Sequence, residues 1–185
     1  MDMTEQPQTI LAISGSLRAR SSNTAVLRAA GKAVPGHIKF VPYEDLGELP
    51  HFNPDIDDDE HEAASVKNLR AQIASAKGVL FCTPEYANGV PGSLKNALDW
   101  IVSSGEFNAK PVTVISVSTF PTGGEKALES ILLTLGMLGA QVGEAGSLKI
   151  PVISKKLGEA GEVTDEATLQ AIRQLMENLI QRMNA

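Results

Sequence analysis

Short apolar runs alternate with longer amphipathic segments along the chain. The apolar runs predict five strands, at 9–14, 38–41, 78–83, 112–117 and within 142–150. Apolar residues at helical spacing predict five helices, at about 24–33, 62–75, 92–103, 125–138 and 165–183. The runs at 78–83 and 112–117 are apolar almost throughout, which is typical of parallel strands covered on both faces. The pattern therefore predicts an α/β fold with a doubly wound parallel sheet and helices on both faces.

Three of the predicted strands end in polar turns that precede a helix. The first turn covers residues 15–24, the second 84–92 and the third 118–124. In doubly wound sheets, ligands bind at the carboxyl ends of the strands, where the strand order reverses. A single ligand reaches all three turns if strands 1, 3 and 4 are neighbours. The flavodoxin-like order 2-1-3-4-5 achieves this, and we expect that order.

The first turn has the composition of a phosphate-binding loop. Its hydroxyls, its arginines and the free N–H groups of the following helix, with Asn23 or Ser22 as cap, all favour an anion. Gly15 is its only glycine, so the G-x-G-x-x-G pattern of dinucleotide binding is missing, and the chain has no G-x-x-x-x-G-K-[ST]. A terminal phosphomonoester fits this turn best. A plain strand-to-helix turn without a ligand is the alternative.

The second and third turns suit a flat heterocycle. Tyr86 offers an aromatic ring, and the backbone N–H groups of a turn shaped by proline and glycine can donate to ring carbonyls and nitrogens. Gly123 and Gly124 permit a planar group to approach closely. A phosphate at the first turn and a flat polar ring at the other two together describe FMN.

Two segments resemble the NAD(P)H-dependent FMN reductase family. The first is Gly15-Ser16-Leu17-Arg18 with Ser22-Asn23, and the second is Pro84-Glu85-Tyr86 followed by residues 91–100. The resemblance extends from Ile10 to about Pro151. It implies a flavodoxin-like fold, FMN as cofactor and NADPH or NADH as electron donor. The family includes quinone, azo-compound and chromate reductases.

The resemblance also implies a mechanism and a set of contacts to FMN. A hydride passes from NAD(P)H to the flavin N5 and, in a ping-pong sequence, on to a quinone, an azo compound, chromate or free flavin. No catalytic side chain is implied, because the flavin carries the chemistry. The family's phosphate loop corresponds to Ser16, Arg18, Ser22, Asn23 and Thr24. Its ring-binding loops correspond to Pro84, Glu85, Tyr86, Ala87, Asn88, Gly89, Ser118 and Gly123.

Two departures from the family pattern lie near the expected acceptor position. Many members have Asn or His directly after Pro-Glu-Tyr, where this chain has Ala87. The family's glycine-rich third turn is here Thr119-Phe120-Pro121-Thr122-Gly123-Gly124. Because of these two differences, the resemblance does not decide which electron acceptor the protein prefers. Arg20 matches no family position and is expected to be a solvated surface residue.

Length, charge and composition bound the number of domains, the class of partner and the location of the protein. A chain of 185 residues indicates one flavodoxin-like domain, with 1–8 as a flexible N-terminal tail. The net charge of −6 argues against nucleic acid as a partner, and no apolar stretch approaches the about 20 residues that span a membrane. The N-terminus lacks the features of a signal peptide, and the lone Cys82 precludes an internal disulfide, so a cytoplasmic location is expected.

Several side chains have an ordinary structural interpretation. Cys82 lies inside an apolar strand and is predicted to be a core residue. The acidic run at 57–60, taken with His61 and Glu62, matches no established metal loop; it predicts a solvated loop before a helix, so no metal is expected. Trp100 fits either the core or a subunit contact.

Two other functions are compatible with the same sequence features. A flavodoxin-type electron carrier without its own NAD(P)H activity would share the fold and the acidic charge. A phosphate-binding regulatory domain without flavin would share the first turn. The partner expected for a reductase is a small-molecule acceptor. The family resemblance also implies a homodimer or homotetramer, with the Trp100 helix as a plausible contact.

Overall fold

The predicted strands form one parallel sheet. A computed structural model of the chain describes residues 7–58 and 60–185. The strands are β1 (Thr9–Ser14), β2 (Lys39–Tyr43), β3 (Gly78–Thr83), β4 (Val112–Val117) and β5 (Ser147–Ile150). Their order is β2-β1-β3-β4-β5, and all neighbouring pairs are parallel. The flavodoxin-like order is confirmed.

Helices cover both faces of this sheet. They are α1 (Ser22–Lys32), α2 (Ala64–Ser75), α3 (Gly92–Asp99), α4 (Glu125–Met137) and α5 (Glu166–Met183). Alternate residues of β1 belong to different cores, because successive side chains of a strand point to opposite faces. Leu11 and Ile13 pack with α2, α3 and α4, whereas Ile10 and Ala12 pack with α1 and α5.

Two helix boundaries differ from the prediction. The N-cap of α1 is Ser21, not Asn23 or Ser22: its backbone is extended, and its Oγ accepts a hydrogen bond from Asn23 N at 3.2 Å. Helix α3 ends at Asp99, four residues early. After it, Ile101 N and Val102 N donate to carbonyls three residues back. These bonds have the spacing of a 3₁₀ turn, which is tighter than an α-helix.

The segment 44–63, between β2 and α2, is held against α3. Asn96 Oδ1 accepts from Phe52 N at 2.8 Å, and Asn96 Nδ2 donates to Pro50 O at 2.9 Å. Trp100 Nε1 donates to the same carbonyl at 2.9 Å, and the Phe52 ring meets the indole edge-on at 5.1 Å. Trp100 is fully buried within its own chain, so it is a core residue.

The acidic run is only partly the solvated loop that was predicted. The side chains of Asp57, in this run, and Glu62, just after it, are largely shielded from solvent and pair with Arg70, which also donates to the Trp100 carbonyl. Burial alone would raise the pKa of Asp57, but hydrogen bonds from Ser103 and Arg70 lower it. Asp59 lies outside the described residues. Within them, no group of three or more histidine, cysteine or carboxylate side chains is arranged to hold a metal ion.

The predicted N-terminal tail lies mostly outside the described residues, which begin at Pro7. Gln8 is bonded to the fold: its carbonyl accepts from Lys39 N at 2.8 Å, and its Nε2 donates to Asn184 Oδ1 at 3.0 Å. Among the described helices, none combines the length and apolar character needed to cross a bilayer.

Candidate functional site

Three polar turns meet at the carboxyl edge of adjacent strands. They follow β1, β3 and β4, which are neighbours in the sheet. The first turn begins against the end of β3, because Gly15 N donates to Cys82 O at 2.8 Å. A Cβ at position 15 would lie 2.8 Å from Thr83 Oγ1, so only glycine permits this approach. The tertiary structure therefore assembles the edge that the sequence predicts as a ligand site.

The first turn offers donors that the protein does not use. Ser16 N donates to Ser14 Oγ at 3.2 Å, and Arg18 N donates to Ser16 Oγ at 3.4 Å, which shapes the turn. The Arg18 side chain is exposed, and Ser22 and Thr24 are half-buried in the first turn of α1. The side chains of Arg18, Ser22 and Thr24 make no hydrogen bond to any other part of residues 7–58 and 60–185. A helix N-terminus with free hydroxyls and a cation fits a phosphate.

Asn23, also predicted to contact phosphate, braces the turn from inside. Its side chain is buried; Nδ2 donates to Ser21 Oγ at 3.2 Å, and Oδ1 accepts from the Cys82 thiol at 3.3 Å. Cys82 is a core residue, as predicted, and complete burial raises the pKa of its thiol. Asn23 thus ties α1 to β3, and a direct contact with phosphate stays a prediction. Arg20 is exposed, as expected.

The second turn is a tight hairpin. Tyr86 and Gly89 exchange two backbone hydrogen bonds, each 3.0 Å. Between them, Ala87 and Asn88 have positive φ values of 49° and 60°, which is the pattern of a type I′ turn. Tyr86 is 48% exposed beside this hairpin. The hairpin thus leaves the aromatic ring free to meet a flat ligand.

Ala87→Asn is expected to stabilise the protein by about 0.5–1 kcal/mol, because asparagine adopts positive φ more readily than alanine. Ala87 is exposed, so the change disturbs no packing. Urea unfolding of the FMN-free protein measures the difference. Asn88→Ala is the matched control and should destabilise by a similar amount, because it places alanine in the same backbone region. A less stable A87N protein would contradict the assignment of backbone strain to Ala87.

Glu85 directs its carboxylate away from the hairpin. Its Oε2 accepts from Lys126 N at 2.8 Å and from Ala127 N at 3.2 Å. The family resemblance implies a contact between Glu85 and FMN, but it does not predict this cap on α4. The cap joins residues about forty positions apart, so no local pattern marks it.

The third turn is held by its own contacts and by the chain at 150–153, where Ser118 N donates to Ile150 O at 3.1 Å and Ile153 N donates to Ser118 O at 3.0 Å. Ser118 Oγ accepts from Phe120 N at 3.0 Å, and Ser116 Oγ donates to Gly123 O at 2.7 Å. Gly123 is buried with φ 66°, and a Cβ there would lie 3.1 Å from Lys149 Cβ. Glycine at 123 is therefore required by the turn itself. Phe120 is 69% exposed at the tip.

Taken together, the edge combines free anion-binding groups in the first turn with exposed aromatic rings in the second and third. The family model described as NADPH-dependent FMN reductase matches residues 8–154 of this chain. The chain belongs to this family. It is an oxidoreductase that uses FMN as cofactor and NAD(P)H as electron donor, as the resemblance implied. The match covers the range over which the sequence resembled FMN reductases.

Relatives of this FMN reductase family member support the same assignment. A quinone reductase from Escherichia coli is 33% identical over 170 residues, which cover 90% of each chain. An NAD(P)H-dependent FMN reductase from Pseudomonas aeruginosa is 31% identical and covers 92% of each chain. Among solved structures, the flavoenzyme NAD(P)H:(acceptor) oxidoreductase FerB from Paracoccus denitrificans superposes with a TM-score of 0.85 at 28% identity. That superposition covers 96% of this chain and 97% of FerB.

Proposed function

We propose that this chain transfers electrons from NAD(P)H to a quinone, with both half-reactions taking place in turn at one FMN site. The observation that carries the proposal is the joining of free phosphate-binding donors and an exposed aromatic ring at the carboxyl ends of β1, β3 and β4. When bound, FMN supplies the redox chemistry by taking up a hydride from NAD(P)H and returning the electrons to an acceptor.

In this proposal the protein binds FMN and orients the donor and the acceptor against it. Its side chains transfer no proton or covalent group. Arg18 neutralises the phosphate, while the hydroxyls of Ser16, Ser22 and Thr24 and the N-terminus of α1 donate hydrogen bonds to it. Residues 84–89, with Ser118 and Gly123 of the third turn, hold the ring. Tyr86 and Phe120 bound the place where donor and acceptor stack in turn.

A flat apolar acceptor suits this edge better than an anion such as chromate. Tyr86 and Phe120 present exposed aromatic rings, which stack on planar molecules. Arg18, the cation of the first turn, is assigned to the phosphate and is then not available to a second anion. The Escherichia coli relative is named a quinone reductase, which supports the same class of acceptor.

Anaerobic NADPH is expected to abolish the visible absorbance of the FMN-loaded protein, and a benzoquinone is expected to restore it. In steady-state assays, kcat/KM for the quinone should exceed that for an azo dye, chromate or free FMN. Because one site serves both substrates, initial rates should give parallel double-reciprocal lines. An absorbance spectrometer in a glove box and a stopped-flow instrument suffice.

Other outcomes would replace the proposal with a specific alternative. A protein that stays oxidised with NADPH but accepts electrons from a separate reductase would be a flavodoxin-type carrier. A colourless protein that takes up no FMN would be a phosphate-binding domain. Intersecting double-reciprocal lines would contradict the alternating half-reactions.

We also propose that the chain forms a homodimer or homotetramer in the cytoplasm. Helix α4 exposes Leu133 (78%) and Met137 (64%), four residues apart on one side of the helix. Exposed apolar side chains that share one face mark candidate subunit contacts. Trp100 is buried in its own chain, so α4 replaces it as the proposed contact. The free thiol of Cys82 supports a reducing compartment.

A further inference from the structure

Helix α4 is capped by a side chain from a different turn. Its own N-cap residue, Gly124, has a left-handed backbone and supplies no side-chain hydrogen bond. Glu85 takes this role through its two bonds, to Lys126 N and Ala127 N. A carboxylate at a helix N-terminus both satisfies free N–H groups and opposes the positive end of the helix dipole.

The same contact joins the second turn to the end of the third. Within residues 7–58 and 60–185, the two bonds to Glu85 are the hydrogen bonds that link 84–92 to 118–127. The approach is close in the backbone as well, since a Cβ at Gly124 would lie 3.7 Å from Glu85 Cβ. The Tyr86–Gly89 bonds and the Ser116–Gly123 bond brace each turn separately. Glu85 therefore clamps two internally braced turns into one unit.

We propose that Glu85 is a positioning residue whose clamp on α4 holds the second and third turns at the separation that the FMN ring requires. This inference rests on the proposed function, in which the ring lies between these turns. A ligand that binds a preorganised slot does not bear the entropic cost of ordering it. Loss of the clamp should therefore weaken FMN binding even though the Glu85 carboxylate is bonded to α4.

Three substitutions separate a clamp from a simple effect of charge. Glu85→Ala removes the acceptor, and Glu85→Asp keeps the charge but shortens the side chain by one methylene, so its reach to both N–H groups is lost. Glu85→Gln removes the charge but keeps an oxygen acceptor at the same length. Glu125 provides the matched control: it lies in the first turn of α4, is exposed, and pairs with Lys149 at 3.2 Å without contacting the second turn.

The first readout needs no flavin. In FMN-free protein, hydrogen exchange at the amides of Lys126 and Ala127 should accelerate at least about tenfold in E85A and E85D, because both amides lose the side-chain oxygen that accepts their hydrogen bonds. Glu85→Gln should stay within about threefold of wild type, and E125A should match wild type. Unchanged exchange in E85A would overturn the clamp.

The second readout is the dissociation constant for FMN, measured by quenching of flavin fluorescence. We expect E85A and E85D to weaken binding about tenfold, and E85Q and E125A to change it less than about threefold. If E85D binds like wild type while E85Q does not, charge and not the clamp decides affinity. Faster exchange with unchanged affinity would also overturn the positioning role. A wild-type protein that binds no FMN overturns the proposed function instead, while the exchange rates still decide whether the clamp exists.

Discussion

Trp100→Ala is expected to lower the free energy of unfolding by about 4 kcal/mol, because truncating a fully buried indole leaves a large cavity. The ring also loses its edge-on contact with Phe52 and its hydrogen bond to Pro50 O. That bond helps to fasten the segment 44–63 to α3, so the segment should be held less firmly, by the bonds to Asn96 that remain. Urea denaturation of the FMN-free protein measures the change without a contribution from ligand binding.

One further variant separates the hydrogen bond from the packing of the ring, and a second is a control at an exposed aromatic residue. Trp100→Phe retains most of the ring volume but removes the Nε1–H donor, and should cost about 1–2 kcal/mol through the lost hydrogen bond and the smaller ring, while Pro50 O keeps its bond from Asn96 Nδ2. Phe120→Ala removes an exposed aromatic ring and should change stability by less than about 0.5 kcal/mol. A loss below about 1.5 kcal/mol in W100A, accompanied by dissociation of an oligomer, would assign Trp100 to a subunit contact.

Arg18→Ala is expected to weaken FMN binding by about 10- to 100-fold while leaving stability unchanged. Hydrogen bonds between a guanidinium and a phosphate are charge-assisted and contribute about 1.5–3 kcal/mol. The Arg18 side chain is exposed, so its removal leaves no cavity in the fold. Titration of FMN into FMN-free protein gives the dissociation constants, and the loss should diminish at high salt because salt screens the charge.

Arg20→Ala is the matched control for the phosphate assignment. Arg20 is exposed, carries the same charge and lies two residues further along the same turn. If only Arg18 contacts the phosphate, R20A should change affinity less than about threefold. Equal losses in both variants would indicate a diffuse electrostatic effect, and an unchanged R18A affinity would remove Arg18 from the site.

Two residues of the family motif at 91–100 have a structural role that the sequence match does not reveal. Its Asn96 and Trp100 both bind Pro50 O, so they hold a segment nearly fifty residues away. Pattern analysis identifies Leu94 and Leu98 as the apolar side of α3, and both are buried. The same pattern does not predict the role of Asn96, because a polar residue in a helix usually faces solvent.

Predictions failed where the partner of a side chain is distant or where three neighbouring residues can each cap the helix. Asp57 and Glu62 look solvated in the sequence, yet Arg70 buries both in an ion pair. Helix α3 ends early at Asp99, and the carbonyl of the next residue, Trp100, accepts from Arg70, which lies in α2. For α1, Ser21, Ser22 and Asn23 are all good caps, and the extended backbone at Ser21 decides among them.

The sequence by itself determined the five strands, the parallel sheet and the three polar turns, because apolar periodicity and turn residues are local properties. It also determined the ligand class, through the composition of the first turn and the absence of rival nucleotide motifs. Only the tertiary structure decided that Trp100 is core, that Asn23 braces α1 on Cys82, and that Glu85 caps α4. These roles depend on the contacts of one atom with another far along the chain. The folded sheet alone brings such atoms within hydrogen-bond distance.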